Sequence, residues 1–208
     1  MKLLLYKCIL IYIFKMEIIG LIGHQGVGKN YIAENILFNF LKNEPTIILA
    51  FADHFKIDTI GKYNLDYDKV FIEKNYETRK KLQTIGTEEG RNKYGEDIWI
   101  KIMYNWIKVL NSRGIKRFII TDVRFQNEAD WIKSLNGILI KIEAPERFMK
   151  RVISEAGNNK NKINEIISHP SEKNITDINN YDICIKNDPK DDLDKEVIKI
   201  YPLLKEYS

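Results

Sequence analysis

Residues 17–37, EIIGLIGHQGVGKNYIAENIL, impose a short strand, a glycine-rich loop and a helix in immediate succession. The apolar run Ile18 to Ile22 reads as a buried strand, and Ile32, Ala33, Ile36 and Leu37 recur at helical spacing. Between them, Gly23, Gly28 and Lys29 fill the fixed positions of G-x-x-x-x-G-K, with a further Gly26 and with Val27 between the glycines. Asn30 stands where the usual form carries Ser or Thr. A loop of this kind wraps phosphates because glycine allows backbone conformations and approaches that a β-carbon forbids. Its N–H groups turn inward, and the following helix adds the positive end of its dipole. Lys29 then neutralises the phosphates, while Asn30 offers a metal ion at most an amide oxygen.

Length and charge narrow the partners. A chain of 208 residues suits one medium domain, or a domain with a lid. Its net charge of +4, with 33 basic residues interleaved among 29 acidic ones, favours a small anionic ligand over a nucleic acid. Cys8 and Cys184 have no metal-ligand spacing, so free thiols in a reducing, cytoplasmic compartment are expected. Residues 1–15 are strongly apolar but interrupted by Lys7 and Lys15, shorter than a membrane span and without a small-residue cleavage site. They read either as an element packed on the domain or as an extension upstream of a start at Met16.

Four more strands are predicted, at 46–51, 117–121, 137–142 and 181–185, separated by helical stretches. Alternation of this kind gives a parallel sheet with helices on both faces. Such folds place ligands at the carboxyl edge of the sheet, which directs attention to the residues just beyond each strand. After the second strand, Asp53 is either a substrate acceptor or a helix cap, and Lys56 can meet a phosphate. Residues 57–78 read as a polar, tyrosine-rich insertion. In 77–107 a helix, a turn near Gly86 and a second helix would line a pocket with Arg79, Gln83, Glu88 and Arg91, while Leu82, Ile85, Trp99, Ile102 and Trp106 are buried. After the third strand, Asp122 suits a metal-organising or substrate-accepting role, and Arg124 suits a phosphate grip. After the fourth, Arg147, Lys150 and Arg151 share a helical face, as a phosphate-closing lid over 145–170 would require. Residues 157–166 read as a mobile polar segment.

Taken in order, GHQGVGKN, FADHFK, LQTIGTEEGRNKYGEDIWI, TDVRFQNEADWI, Arg147 with Arg151, HPSE at 169–172 and YDICIKND resemble the bacteriophage-type deoxynucleoside monophosphate kinases, over about residues 16–193. The loop is common to many NTPases; the third and fourth stretches are far more specific. The family often has Asp after the loop lysine, so Asn30 keeps the shape and removes a charge.

The resemblance implies a P-loop NTPase three-layer α/β sandwich with a parallel five-stranded sheet, a helical acceptor-binding insertion over 53–107 and a small lid. It implies ATP and Mg²⁺ as cofactors and small nucleotides as partners, in the host cytoplasm if viral. No nucleic-acid or membrane partner is expected, there being no basic stripe with interleaved aromatics, and the number of subunits is left open, a homodimer among the options. By the same resemblance, Gly23, Gly26, Val27, Gly28, Lys29 and Asn30 hold the donor phosphates, and Asn187 and Pro189 lie beside its adenine. Arg147 and Arg151 stabilise the migrating phosphoryl group. Asp53, Lys56, Arg79, Gln83, Glu88, Arg91, Asp122 and Arg124 surround the acceptor, and Asn30 and Asp122 are the metal candidates. A related kinase acting on phosphomevalonate, and a non-catalytic or nucleic-acid-dependent nucleotide binder, are the other classes considered.

Overall fold

The computed structural model describes residues 16–41, 43–72 and 75–204. The N-terminal stretch 1–15, for which two readings were open, lies outside them. Five strands, β1 (Glu17–Ile22), β2 (Thr46–Leu49), β3 (Arg117–Val123), β4 (Ile138–Glu143) and β5 (Ile183–Lys186), form one sheet in the order β2-β3-β1-β4-β5. Every adjacent pair is parallel. Parallel neighbours need crossover connections, and helices supply them.

A helical run over 29–40 (α1), π-helical through Ile32–Leu37, links β1 to β2. Between β2 and β3 lie α2 (Ala52–Tyr63), α3 (Tyr67–Phe71), a run over 76–94 (α4) and α5 (Ile98–Ser112). Helix α6 (Gln126–Ser134) leads to β4. Before β5 come α7 (Pro145–Ala156), α8 (Lys160–Ser168) and α9 (Pro170–Lys173), and the described chain closes with α10 (Leu193–Ile198) and α11 (Tyr201–Leu204).

All six residues of β1 are buried, as a strand covered on both faces must be. Alternation divides its side chains between two layers. Ile19 and Leu21 pack with Ile32, Leu37, Phe148, Val152 and Leu204, while Ile18 and Ile22 pack with Trp99, Met103, Ile107 and Ile132. The three-layer α/β sandwich expected from the strand spacing is therefore the observed one. Gly20 allows α6 to sit directly on the sheet, since a β-carbon there would lie 2.7 Å from Ile132 Cδ1 and 2.8 Å from Leu139 Cδ2.

Several local expectations need correction. No turn interrupts the chain at Gly86; α4 continues through it, π-helical over Ile85–Arg91. The glycines serve packing instead. Gly86 faces the Phe55 ring, and a β-carbon on Gly90 would overlap the Trp99 indole, whose Nε1 donates to Gly86 O at 2.7 Å. Trp106 is not buried but about half exposed on the outer face of α5. The predicted insertion over 57–78 is helical through much of its length. Most of 157–166, expected to be mobile, belongs to α8, whose first turn is capped by Asn159 Oδ1 accepting from Asn161 N and Lys162 N. The second strand stops at Leu49 because Asp53 and Asp122 draw the following backbone N–H groups out of the sheet direction.

Ile119 lies at the middle of β3 with no exposed surface. Ile119→Ala should cost about 3 kcal/mol through lost transfer energy and a residual cavity, read as a lower urea midpoint with an unchanged m-value.

Candidate active site

The direction of the connections reverses beside β1: the crossover leaving β1 runs to β2 on one side, and the crossover leaving β3 passes β1 to reach β4 on the other. A crevice opens outside the carboxyl ends at such a point. The loop leaving β1 occupies it. Gly26 and Gly28 hold φ values of 78° and 94°, which side chains with a β-carbon rarely adopt. Glycine at 28 also admits the Asn187 amide, whose Nδ2 donates to Val27 O at 2.8 Å.

Lys29 is buried, and its Nζ donates to Gly23 O at 2.5 Å and His24 O at 2.6 Å. Burial, and then the positive charge of Arg124, lowers its pKa to about 7.

A cavity of about 680 Å³ opens in front of this loop. Gly26, Gly28, Lys29 and Asn30 border it on one side. The turn after β2 contributes Asp53 and Lys56, α4 contributes Arg79, Gln83 and Arg91, and the end of β3 contributes Asp122 and Arg124. Eleven of the residues singled out from sequence thus converge, from segments up to about a hundred positions apart. The same cavity is lined by an aromatic wall of Phe51, Phe55, Tyr67, Phe71 and Trp99. Phe55 and Trp99 are 4.9 Å apart, Tyr67 and Phe71 stack at 4.7 Å, and Lys56 Nζ sits 4.9 Å from the Phe71 centroid.

The remaining candidates lie off the cavity lining. Gly23 and Val27 shape the loop from behind, Val27 within the core. Glu88 and Pro189 are exposed. Asn187 is buried behind the loop, and its carbonyl accepts from Arg147 Nε. Arg151 lies over Gly26, where an added β-carbon would come within 3.0 Å of it, and it pairs with Glu155 at 3.6 Å. As the chain stands, Arg147 and Arg151 brace the loop from α7.

Asp122 does more than sequence position implied. Its two oxygens accept the N–H groups of Phe51 (2.7 Å) and Ala52 (3.0 Å), capping α2 from 70 residues away, while burial raises its pKa. Asp53 turns the same corner, accepting from Ala50 N at 2.8 Å and pairing with Lys56 at 2.8 Å. Asp53 thus stands in the first turn of α2 rather than at its N-cap, holds the backbone just before the helix, and also lines the cavity.

Three buried carboxylates had no assigned role. Glu128 pairs with Arg91 and accepts from Arg124 N (2.8 Å) and Phe125 N (3.1 Å); burial pushes its carboxyl up against the pull of Arg91. The Arg91 guanidinium carbon lies over the Phe125 ring, 3.8 Å from its centroid. Glu155 meets Arg79 at 2.7 Å, and Arg79 also donates to Gln25 Oε1 at 2.9 Å. Glu172 pairs with Arg124. In sequence, Glu128 looks like an ordinary acidic residue in a helix first turn, and Glu172 was visible only as part of HPSE.

Among the described residues, no group of three or more His, Cys, Asp or Glu could hold a metal ion, and no helix is long and apolar enough to cross a membrane.

Residues 21–137, more than half of the chain, match the family model described as phosphomevalonate kinase. A protein of Acanthamoeba polyphaga mimivirus, described as "Putative deoxynucleotide monophosphate kinase", is 29% identical over 196 residues, 83% of this chain and 89% of that protein. Among solved structures, TT1252 from Thermus thermophilus superposes with a TM-score of 0.53 at 16% identity, covering 93% of this chain and 98% of that one, which shows a shared fold. Shikimate kinase from Aquifex aeolicus superposes with a TM-score of 0.44 at 19% identity, over 91% of this chain and 96% of that one.

A triphosphate entering the loop would restore the charge on Lys29. At pH 8, therefore, nucleotide binding should take up close to one proton. Calorimetry in two buffers of different ionisation enthalpy measures this uptake. Lys29→Met should lose it, and equal heats for the native chain in both buffers would contradict it.

Proposed function

We propose that this chain, which belongs to the phosphomevalonate kinase family and is a P-loop kinase, transfers the γ-phosphoryl group of ATP to the phosphate of a deoxynucleoside monophosphate. The observation that carries this reading is one cavity with a basic floor and an aromatic wall. Phosphate alone would need only the floor. A wall of Phe55, Tyr67, Phe71 and Trp99 matches a flat nucleobase, whose stacking on aromatic rings is worth about 1–3 kcal/mol per base. The mimivirus relative supports the same class of acceptor.

In this mechanism Lys29 and the loop N–H groups hold the donor phosphates. Arg124, Arg79 and Arg91 hold the acceptor phosphate against them, and Lys56 closes the side nearest Phe71. An acceptor phosphate oxygen attacks the γ-phosphorus, the new P–O bond forms, and the bond to the β-bridging oxygen breaks to release ADP. The attacking oxygen is already ionised, so no strong base is needed. Positioning and charge neutralisation carry the rate.

Arg147 and Arg151, next to the loop on α7, add positive charge at the migrating group once the donor is bound. Magnesium, when bound, neutralises charge on the β- and γ-phosphates. Asn30 at the cavity edge and the remaining lone pairs of Asp122 would hold it from the protein side.

The family model favours a second reading, with phosphomevalonate as acceptor. That molecule would engage the basic floor and leave the aromatic wall idle.

A coupled assay of ADP release with dAMP, dGMP, dCMP, dTMP, their ribose counterparts and phosphomevalonate tests both. Turnover is expected with at least one deoxynucleotide, and turnover with phosphomevalonate alone would overturn the reading. Lys29→Ala should abolish activity in a folded protein. Phe71→Ala should raise the acceptor KM about tenfold while leaving the ATP KM near native, a split that a phosphomevalonate kinase would not show.

A further inference from the structure

We infer that Glu172 is a positioning residue for this transfer, fixing the phosphate loop and Arg124 at one separation so that donor and acceptor phosphates meet in line. The inference rests on the assignment of Arg124 to the acceptor side under the proposed function. Glu172 spans the two halves of the site directly. Its Oε1 takes the Arg124 guanidinium, while its Oε2 accepts from Gln25 N at 3.3 Å and pairs with His24 Nδ1 at 3.1 Å. His24 and Gln25 belong to the loop that follows β1, and Arg124 lies just beyond the tip of β3.

The carboxylate is held from behind. Helix α9 is stopped against slippage by His169, whose Nδ1 accepts from Ser171 N at 3.2 Å and whose carbonyl accepts from Glu172 N at 2.9 Å. Ile175 and Ile178, a few residues on, are buried in the sheet core. The loop is fixed on its other side by His24 stacking on Phe148 at 4.3 Å. The Arg124 guanidinium also donates to Ser171 O at 3.3 Å, so the short segment 171–172 supplies two acceptors to it.

Geometry and charge agree. Glu172 is 2% exposed, and although burial alone would raise its pKa, Arg124, His24 and Lys29 together bring it down to about 2. It stays ionised while the phosphates come and go. Lys29 and Arg124 repel one another, and the Glu172 carboxylate attracts both. Without it, Arg124 would be free to swing toward the acceptor or away, and the loop tip would lose its tie to β3.

Glu172→Asp keeps the charge and withdraws the oxygens by one methylene, and Glu172→Gln keeps the length and removes the charge. Both are made in the full chain. Inorganic phosphate titrated onto ADP-saturated protein reads the Arg124 side without assuming an acceptor. In Glu172→Asp, phosphate binding and the acceptor KM should each weaken about tenfold, with ADP affinity changed less than about threefold and the thermal midpoint near native. Acceptor-independent ATP hydrolysis should rise relative to transfer in the same variant.

Unchanged phosphate binding in folded Glu172→Asp overturns the inference. So does a parallel loss of ADP binding, phosphate binding and thermal stability, the pattern of a simple fold brace. If Glu172→Gln fails to fold, Glu172→Asp alone decides. If the native chain turns over no nucleotide, the proposed function fails separately, and the phosphate titration still judges Glu172.

Discussion

Lys29, Arg79, Arg91 and Arg124 converge on one cavity, where mutual repulsion in partly desolvated surroundings would drive them apart without the carboxylates behind them. Arg91 is held by Glu128, Arg79 by Glu155 and Arg124 by Glu172. Each anion is buried, and each sits on an element other than the one carrying its arginine. Pairs of this kind contribute little net stability, because desolvation offsets much of the attraction. What they supply is direction: every guanidinium faces the cavity before any ligand arrives. Among the described residues, Lys29 has no carboxylate at hydrogen-bond distance and donates to loop carbonyls instead. It is the cation whose protonation answers most directly to the ligand.

The same logic explains how much was legible in the sequence. β1 and its loop were readable because buried strands need continuous apolar runs and phosphate loops need glycine at set positions. Asp122 and Arg124 were readable because the third strand ends abruptly in charge. Glu128 and Glu172 were not, since a buried carboxylate and a solvated one look alike in a chain rich in charge. Their burial follows from which segments meet in three dimensions. Asp122 shows the limit from the other side: its place was evident, yet its hold on the backbone at 51 and 52 spans 70 residues that no local pattern connects.

Glycines mislead in the reverse direction. Gly86 and Gly90 resemble turn signals, and a turn was expected. They are packing residues, set where the Phe55 and Trp99 rings lie against α4. The helix persists because its neighbours need a flat contact there, and tertiary packing outweighs the modest intrinsic penalty of glycine in a helix. This packing also shapes the aromatic side of the cavity, through Phe55 and Trp99.

The seating of Trp99 has a spectroscopic consequence. Its indole is buried, lines the cavity and is fixed by a hydrogen bond to Gly86 O, so its emission reports on a polar or aromatic guest arriving beside it. Trp106, half exposed on the far face of α5, contributes a red-shifted background that such a guest leaves alone. The protein carries its own optical gauge of occupancy in the wall of its site.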